Sequence, residues 1–403
     1  MRVRLLRKAA LAIALGASLA VTGCALPQRS PPLTIAQSQQ VLVLGIPDAR
    51  FTPSDVAQLQ QEFVASTQRE MESRRLAGLD GPLPPAEMLA ISGGGDDGAF
   101  GAGLLVGWTA HGDRPTFKEV TGVSTGALSA PFAFLGPDYD SELKTVYTET
   151  AARDIFRPRG ALAALFQDAM GDTTPLRQTV ARFVDNRMIA RIAEEYKKGR
   201  LLLILTTNLD TGEECIWNLG AIAASGKAGA RELIIQILMA SSAIPAAFPP
   251  EMIKLEVDGQ PHQEMHADGG VFAQVFLYPP GINAAEAASV AGAVGRQHDA
   301  YIIRNAFVQS REANVRRLTL PIATRSVSLM IATSGVNDMI RMYAIATRDH
   351  VGYHLAYIDG DFTSTYKEKG LFDQTYMRAL FQYGFERASA GVEWKDQPPG
   401  WQQ

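Results

Sequence analysis

Residues 88–135, MLAISGGGDDGAFGAGLLVGWTAHGDRPTFKEVTGVSTGALSAPFAFL, decide the fold. Residues 88–91 are a short apolar run suited to a buried strand. A glycine-rich loop follows, then a helical stretch over 99–110. The pattern repeats at once, with a second strand over 117–123, a tight Gly-Val-Ser-Thr-Gly turn and a second helix over 125–135. Strand–loop–helix twice in succession predicts parallel strands with crossover helices, an α/β fold with a mainly parallel sheet covered on both faces.

The same alternation continues downstream. Helices are expected over 141–151 and 188–198, and LLLILTT at 201–207 is the clearest buried strand. Asp210-Thr211-Gly212 suits a hairpin turn before a strand at 215–218. A helix over 232–241, a proline-rich loop over 244–250 and a hairpin through Asp258-Gly259 come next. The remainder reads as a strand over 301–308, a long helix over 323–347, a strand over 354–358 and a last helix over 372–389. Val336, Met339, Ile340 and Tyr343 fall at helical spacing, which suits either core packing or a cover over an apolar pocket. Upstream, residues 53–76 read as a helix with Leu59, Phe63, Val64 and Met71 as its apolar stripe.

The N-terminus has another character. Arg2, Arg4, Arg7 and Lys8 precede an uncharged, mostly apolar run over 9–21, which reads as a secretory signal rather than a spanning helix, being too short to cross a bilayer. Residues 25–40, rich in Pro, Gln and Ser, read as a tether. The segments expected are therefore a signal over 1–23, a tether over 24–50, a helical extension over 51–85, an α/β core over 86–280, and a C-terminal part over 281–403 that completes the sheet and its helical cover.

With 46% hydrophobic residues the chain can bury a large core, and a net charge of −4 argues against a nucleic-acid protein. Removing residues 1–23 takes four basic residues with it and leaves −8. Two cysteines, Cys24 and Cys215, exclude a disulfide scaffold and a Cys-rich zinc site. No ligand cluster at metal spacing appears, so no metal and no organic cofactor are expected. Cys215 is assigned no role.

Three motifs carry chemistry. Gly122-Val123-Ser124-Thr125-Gly126 sits between strand and helix, where a sharp turn exposes the serine hydroxyl at a helix N-terminus. Ser92-Gly93-Gly94-Gly95-Asp96-Asp97-Gly98 also ends a strand and opens a helix; consecutive glycines let backbone N–H groups converge on one oxyanion. Its letters also match a dinucleotide loop, but Glu119 sits at the start rather than the end of the next strand, and two aspartates would repel a pyrophosphate. Asp268-Gly269-Gly270 follows a strand and places a carboxylate on a turn, a candidate base for Ser124.

Taken in this order, the motifs resemble those of the patatin-like phospholipases, whose pattern is a glycine-rich oxyanion loop, a GxSxG serine and a later D-G-G/A aspartate. Ala240-Ser241-Ser242-Ala243-Ile244-Pro245, with Phe248-Pro249-Pro250, resembles the family's segment upstream of that aspartate. The resemblance covers about residues 86–280. It implies a three-layer α/β/α sandwich and lipid acyl hydrolysis of the phospholipase A, lysophospholipase or esterase type. It implies Ser124 as nucleophile, Asp268 as base, and Gly93, Gly94 and Gly95 as oxyanion loop. The N–H of Thr125 is a further donor by the logic of the elbow, and Gly98, Gly122, Gly126, Gly269 and Gly270 support the turns. Val21-Thr22-Gly23-Cys24 resembles a bacterial lipobox, which implies lipid on Cys24; Ala25 after it implies the outer membrane. Two departures stand out. Asp97 occupies a position where the family usually has Arg or Lys, and Ser92 one that is often Asp.

Two other readings compete. A Ser-His-Asp esterase would recruit His298, His350 or His354 in the α/β-hydrolase chain order, and His266 lies two residues from Asp268. A non-catalytic lipid-binding or scaffolding lipoprotein on the same fold is the reading to which Asp97 gives weight.

Overall fold

The computed structural model describes residues 29–160, 167–309, 312–362 and 370–401. The basic leader, its apolar run and Cys24 lie outside the described residues.

In chain order the strands are β1 (Arg50–Phe51), β2 (Ala86–Ile91), β3 (Glu119–Gly122), β4 (Arg157–Pro158), β5 (Gly171–Asp172), β6 (Leu201–Asn208), β7 (Glu213–Asn218), β8 (Glu251–Val257), β9 (Gln260–Asp268), β10 (His298–Phe307) and β11 (Gly352–Ile358). β4 and β5 form a separate two-stranded ladder. The main sheet runs β1-β7-β6-β3-β2-β10-β11, with the β8–β9 hairpin joined to β6. The pairings β6–β3, β3–β2, β2–β10 and β10–β11 are all parallel. The fold is thus the mainly parallel α/β sheet that residues 88–135 announce.

The helices that matter for the site are α1 (Val56–Leu76), α2 (Gly98–His111), α3 (Thr125–Leu135), α4 (Asp140–Thr148), α5 (Ala230–Ser241), α6 (Thr319–Asp349) and α7 (Gln374–Ser389). Strand side chains alternate between two cores because their period is two. Leu89 and Ile91 of β2 join Val120, Leu202 and Ile204 beneath α2, α3 and α7. Met88 and Ala90 face the other way, toward Leu59 and Phe63 of α1 and Met339 and Met342 of α6. Met339 is fully buried there, so the helical stripe it shares with Val336, Ile340 and Tyr343 is core packing and not a pocket cover.

Chain order along the sheet reverses between β2 and β10: β3 and β6 follow on one side of β2, β10 and β11 on the other. Ligand crevices of open parallel sheets form at such a switch point, beyond the carboxyl ends of the strands. The glycine loop that follows β2 lies there.

The N-terminal tether needs correcting. Residues 29–50 are packed structure, with Leu33, Val43 and Ile46 buried. Thr34 caps a short helix, Ile35–Gln40, through its side chain. Ser38 Oγ donates to Glu264 Oε1 at 2.5 Å, and Arg50 forms a buried ion pair with Glu264. A carboxylate buried inside β9 needs those partners. Polar composition hid this, because partners more than 200 positions away leave no local signal.

Candidate active site

Ser124 follows β3 directly and caps α3 with φ 55° and ψ −125°, a conformation that side-chain-bearing residues adopt at a cost. The sharp turn aims Oγ out of the sheet, as the GxSxG spacing requires. It needs glycine at Gly126, where a Cβ would stand 2.2 Å from the Ile91 carbonyl oxygen. The Ser124 N–H donates to Ser241 Oγ at 3.0 Å, and Ser241 Oγ donates to the Leu205 carbonyl at 2.7 Å. Ser241, at the end of α5, therefore fixes the elbow from beneath.

Sheet register brings Asp268 to this turn. β6 pairs with β3 only as far as Ile204, opposite Gly122. Where β3 ends, β9 takes over the same flank of β6, with Thr206 opposite Asp268. Ser124 Oγ donates to Asp268 Oδ2 at 2.7 Å, and the other carboxylate oxygen accepts from the Gly270 N–H at 2.7 Å. Burial pushes the Asp268 carboxyl up to about 6, while the Ser124 and Gly270 hydrogen bonds hold it down.

The glycine loop faces this pair, and its N–H groups are not equivalent. Gly93 N–H donates to the Gln274 carbonyl at 2.9 Å and is thereby occupied. Among the described residues, no acceptor engages the N–H groups of Gly94, Gly95 or Thr125. Of the four N–H groups expected from the sequence as donors, that of Gly93 is therefore already taken. Gly94 must be glycine, because a Cβ there would lie 2.0 Å from the Asn305 carbonyl oxygen.

Sequence reasoning missed what braces the loop. Fully buried Asn305 donates through Nδ2 to the Ser92 carbonyl at 2.9 Å and accepts from the Gly101 N–H at 3.0 Å. Its own N–H donates to Ser92 Oγ at 2.8 Å. Ser92 therefore has a bracing role in place of the family's aspartate. Asp97 turns aside and accepts from Tyr376 Oη of α7 at 2.5 Å. Arg304 of β10 lies behind the loop, with charge attraction to both Asp338 and Asp97. A positive charge thus reaches Asp97 from a neighbouring strand. Asn305→Ala would leave two buried backbone groups without partners, at about 1–3 kcal/mol each. Chemical denaturation is expected to show a loss of about 2–6 kcal/mol.

Beside Ser124, Thr125 and Gly95 opens a small slot of about 60 Å³ whose walls include Leu128, Val146, Ile155, Leu176 and Phe248. At its rim Tyr147 Oη of α4 donates to the Thr125 carbonyl at 3.0 Å. A groove of about 620 Å³ lies at the opposite end of the sheet between residues 68–85 and 291–297, and its lining contains no serine or cysteine.

The histidines are elsewhere. His266 is fully buried and bonds Thr206 Oγ1 at 2.9 Å and Glu264 at 3.3 Å. His298 opens β10, while His350 and His354 lie before and early in β11, at the end of the sheet remote from Ser124. None of them hydrogen-bonds Ser124 or Asp268. Burial pushes the Cys215 thiol up to about 12, so it is no nucleophile at neutral pH. Among the described residues no group of three His, Cys, Asp or Glu side chains is placed to hold a metal ion.

Residues 89–279 match the family model of the patatin-like phospholipases. This segment is a patatin-like phospholipase domain. It takes in Gly93 to Gly95, Ser124 and Asp268 but stops short of Asn305 and Arg304, which brace the loop from outside the patatin-like segment. No curated protein sequence matches the chain. Among solved structures, VipD from Legionella pneumophila is similar at 12% identity, over 76% of this chain and 67% of that one, with a TM-score of 0.36. Human GIVD cytosolic phospholipase A2 matches at 10% identity, 81% and 57% coverage and a TM-score of 0.31. The type III effector protein ExoU matches at 13% identity, 78% and 55% coverage and a TM-score of 0.22. This chain spans little more than half the length of the last two, and likenesses this remote add nothing to the reading of the site.

Proposed function

We propose that the chain is a serine lipid acyl hydrolase that works with a Ser124–Asp268 dyad. The observation that carries this reading is the 2.7 Å hydrogen bond from Ser124 Oγ to Asp268 Oδ2, made at a strained turn beside three N–H groups that have no acceptor among the described residues. Asp268 takes the proton as Ser124 Oγ bonds to an ester carbonyl carbon. The carbonyl oxygen becomes an oxyanion held by the N–H groups of Gly94, Gly95 and Thr125. Collapse of this intermediate breaks the ester C–O bond, and Asp268 returns the proton to the leaving alcohol. Water then attacks the acyl-enzyme and gives its proton to Asp268; as the acyl C–Oγ bond breaks, Asp268 returns that proton to Ser124 Oγ, which releases the acid and restores both residues. The apolar slot beside Ser124 suits an acyl chain.

A lone carboxylate is a useful base here because burial raises it toward working pH. With Asp268 at about 6, kcat/KM is expected to rise through pH 6 and level off above pH 7. A profile that is flat between pH 5 and 8 would contradict this assignment. Mass spectrometry of the products from a panel of phospholipids and neutral esters, with a Ser124→Ala control, tests the reaction class and identifies the position cleaved.

The lipobox-like VTGC at 21–24 supports attachment of the enzyme to a bacterial membrane through a lipidated Cys24, with Ala25 favouring the outer membrane. Loss of labelled fatty acid incorporation in Cys24→Ser tests the anchor.

A further inference from the structure

Helix α6 has two halves of different character. From Gly335 onward it packs on the sheet: Met339, Met342, Ile345 and Ala346 are buried. Before Gly335 almost every described side chain is exposed. The two halves meet at the level where the strands end. A Cβ on Gly335 would touch Arg304 near the end of β10, and Asp338 accepts from the Gln274 N–H beside the glycine loop. Since α6 runs back along the sheet between the parallel strands β10 and β11, residues 319–334 project about 23 Å beyond the catalytic end of the sheet.

This projection is apolar. Leu318, Ile322, Val327, Leu329, Met330 and Ile331 are all exposed, Met330 by 70%. At 100° per residue they spread over about 220° of the helix circumference, wider than the single stripe that a groove on a folded partner covers. A fluid apolar medium takes all of them. Ser326 and Ser328 donate to the Ile322 and Thr324 carbonyls, so their hydroxyls need no water. Between residues 313 and 337 the only charged residues are Arg316, Arg317 and Arg325, in a chain that is acidic overall. Two of these, Arg316 and Arg317, are exposed at the start of the helix, where long cationic side chains reach lipid phosphates.

The start of the described chain lies at the same end of the molecule. Arg29 forms an ion pair at 2.8 Å with Asp210, just beyond the carboxyl end of β6. The 28 residues before it include the uncharged run at 9–21. No described helix is long and apolar enough to cross a membrane.

We propose that residues 318–334 form a lipid-docking arm that embeds in the bilayer surface and holds the mouth at Ser124 against it, so that ester substrates enter from the bilayer. This deepens the lipid-hydrolase reading and takes its purpose from that reading, but docking is measurable without catalysis. The first test uses the full chain carrying Cys24→Ser and Ser124→Ala, with an environment-sensitive dye on Met330→Cys. Cys215 is buried and does not compete for the dye. Vesicles of phosphatidylglycerol and phosphatidylethanolamine are expected to raise the dye fluorescence about threefold or more with a blue shift, as for a side chain entering an acyl region. The same dye on Val294→Cys, which is 80% exposed at the opposite end of the sheet, is expected to stay unchanged. No change at position 330, an equal change at 294, or a rise with protein concentration in the absence of lipid overturns the proposal; the last result assigns the arm to a second copy of the chain. The second test uses Val327→Asp, Met330→Asp and Ile331→Asp together in the otherwise unaltered enzyme. Hydrolysis of vesicle phospholipid is expected to fall at least about tenfold, while a soluble short-chain ester is turned over within about twofold of the wild-type rate. An equal fall on both substrates overturns a docking role. If neither substrate is hydrolysed by the wild type, the hydrolase reading fails and the dye measurement still decides the arm.

Discussion

Ser124→Ala is expected to lower ester hydrolysis by a factor on the order of 10⁴–10⁶, because the oxyanion donors retain only a small part of the rate once the nucleophile is gone. The hydroxyl is the only atom removed, and Gly94, Gly95 and Thr125 keep their positions. A companion variant separates chemistry from strain. Ser124→Gly is expected to be equally inactive, yet more stable by about 1 kcal/mol, because glycine adopts φ 55° without the cost a side chain incurs there. Steady-state rates on one soluble ester and urea denaturation check both statements. A Ser124→Ala enzyme within tenfold of the wild type would place the nucleophile elsewhere.

Asp268→Asn is expected to lower kcat about 10³–10⁴-fold while stabilising the protein at alkaline pH. The carboxyl at about 6 lies above the ordinary aspartate value, so the folded state resists its ionisation. Below about pH 4 the group is protonated whether the chain is folded or not, and it costs nothing. As pH rises through 6 the unfolded chain has already lost the proton, and the folded chain must bury a charge. The penalty reaches up to about 3 kcal/mol above pH 7. The asparagine carries no charge and escapes it, so wild type and variant should differ most in stability near pH 8 and least near pH 4. Equal stability at both pH values would mean that Asp268 is an ordinary solvated carboxylate, and its role as base would fall with it.

The elbow and the loop were legible because their chemistry is local. Glycine recurs where strand meets helix, and the alternation of residues 88–135 is enough to predict a parallel sheet and to point at Ser124. Asp268 was legible only in company with the other two motifs, since an Asp-Gly pair taken alone is ordinarily just a turn. Its approach to Ser124 comes from sheet register: β3 stops at Gly122 and β9 takes its place along β6. No spacing in the sequence encodes that replacement. The bracing of the loop was illegible for the same reason. Asn305 and Ser92 are 213 positions apart, and a buried amide has no distinctive neighbourhood in one dimension. The loop's departure at Asp97 gave weight to a non-catalytic reading when taken alone; with Tyr376 and Arg304 in place, the acid has partners away from the N–H groups of Gly94, Gly95 and Thr125.

The long helix teaches the converse. Its apolar residues are real, but periodicity alone does not say which of them meet the sheet. The stripe through Met339 is buried and the broad apolar surface before Gly335 is not, a difference set by where the strands end. Helices Thr174–Phe183, Leu219–Ala224 and Ala284–Val290 escaped the sequence reading, the last two because they are too short to show a periodic pattern.

The most direct measurement is covalent labelling with a fluorophosphonate, located by peptide mass mapping at pH 8. The account predicts one phosphonyl group on Ser124 of the wild type, slow labelling of Asp268→Asn and none of Ser124→Ala. An unlabelled wild type, or label on another residue, would contradict it.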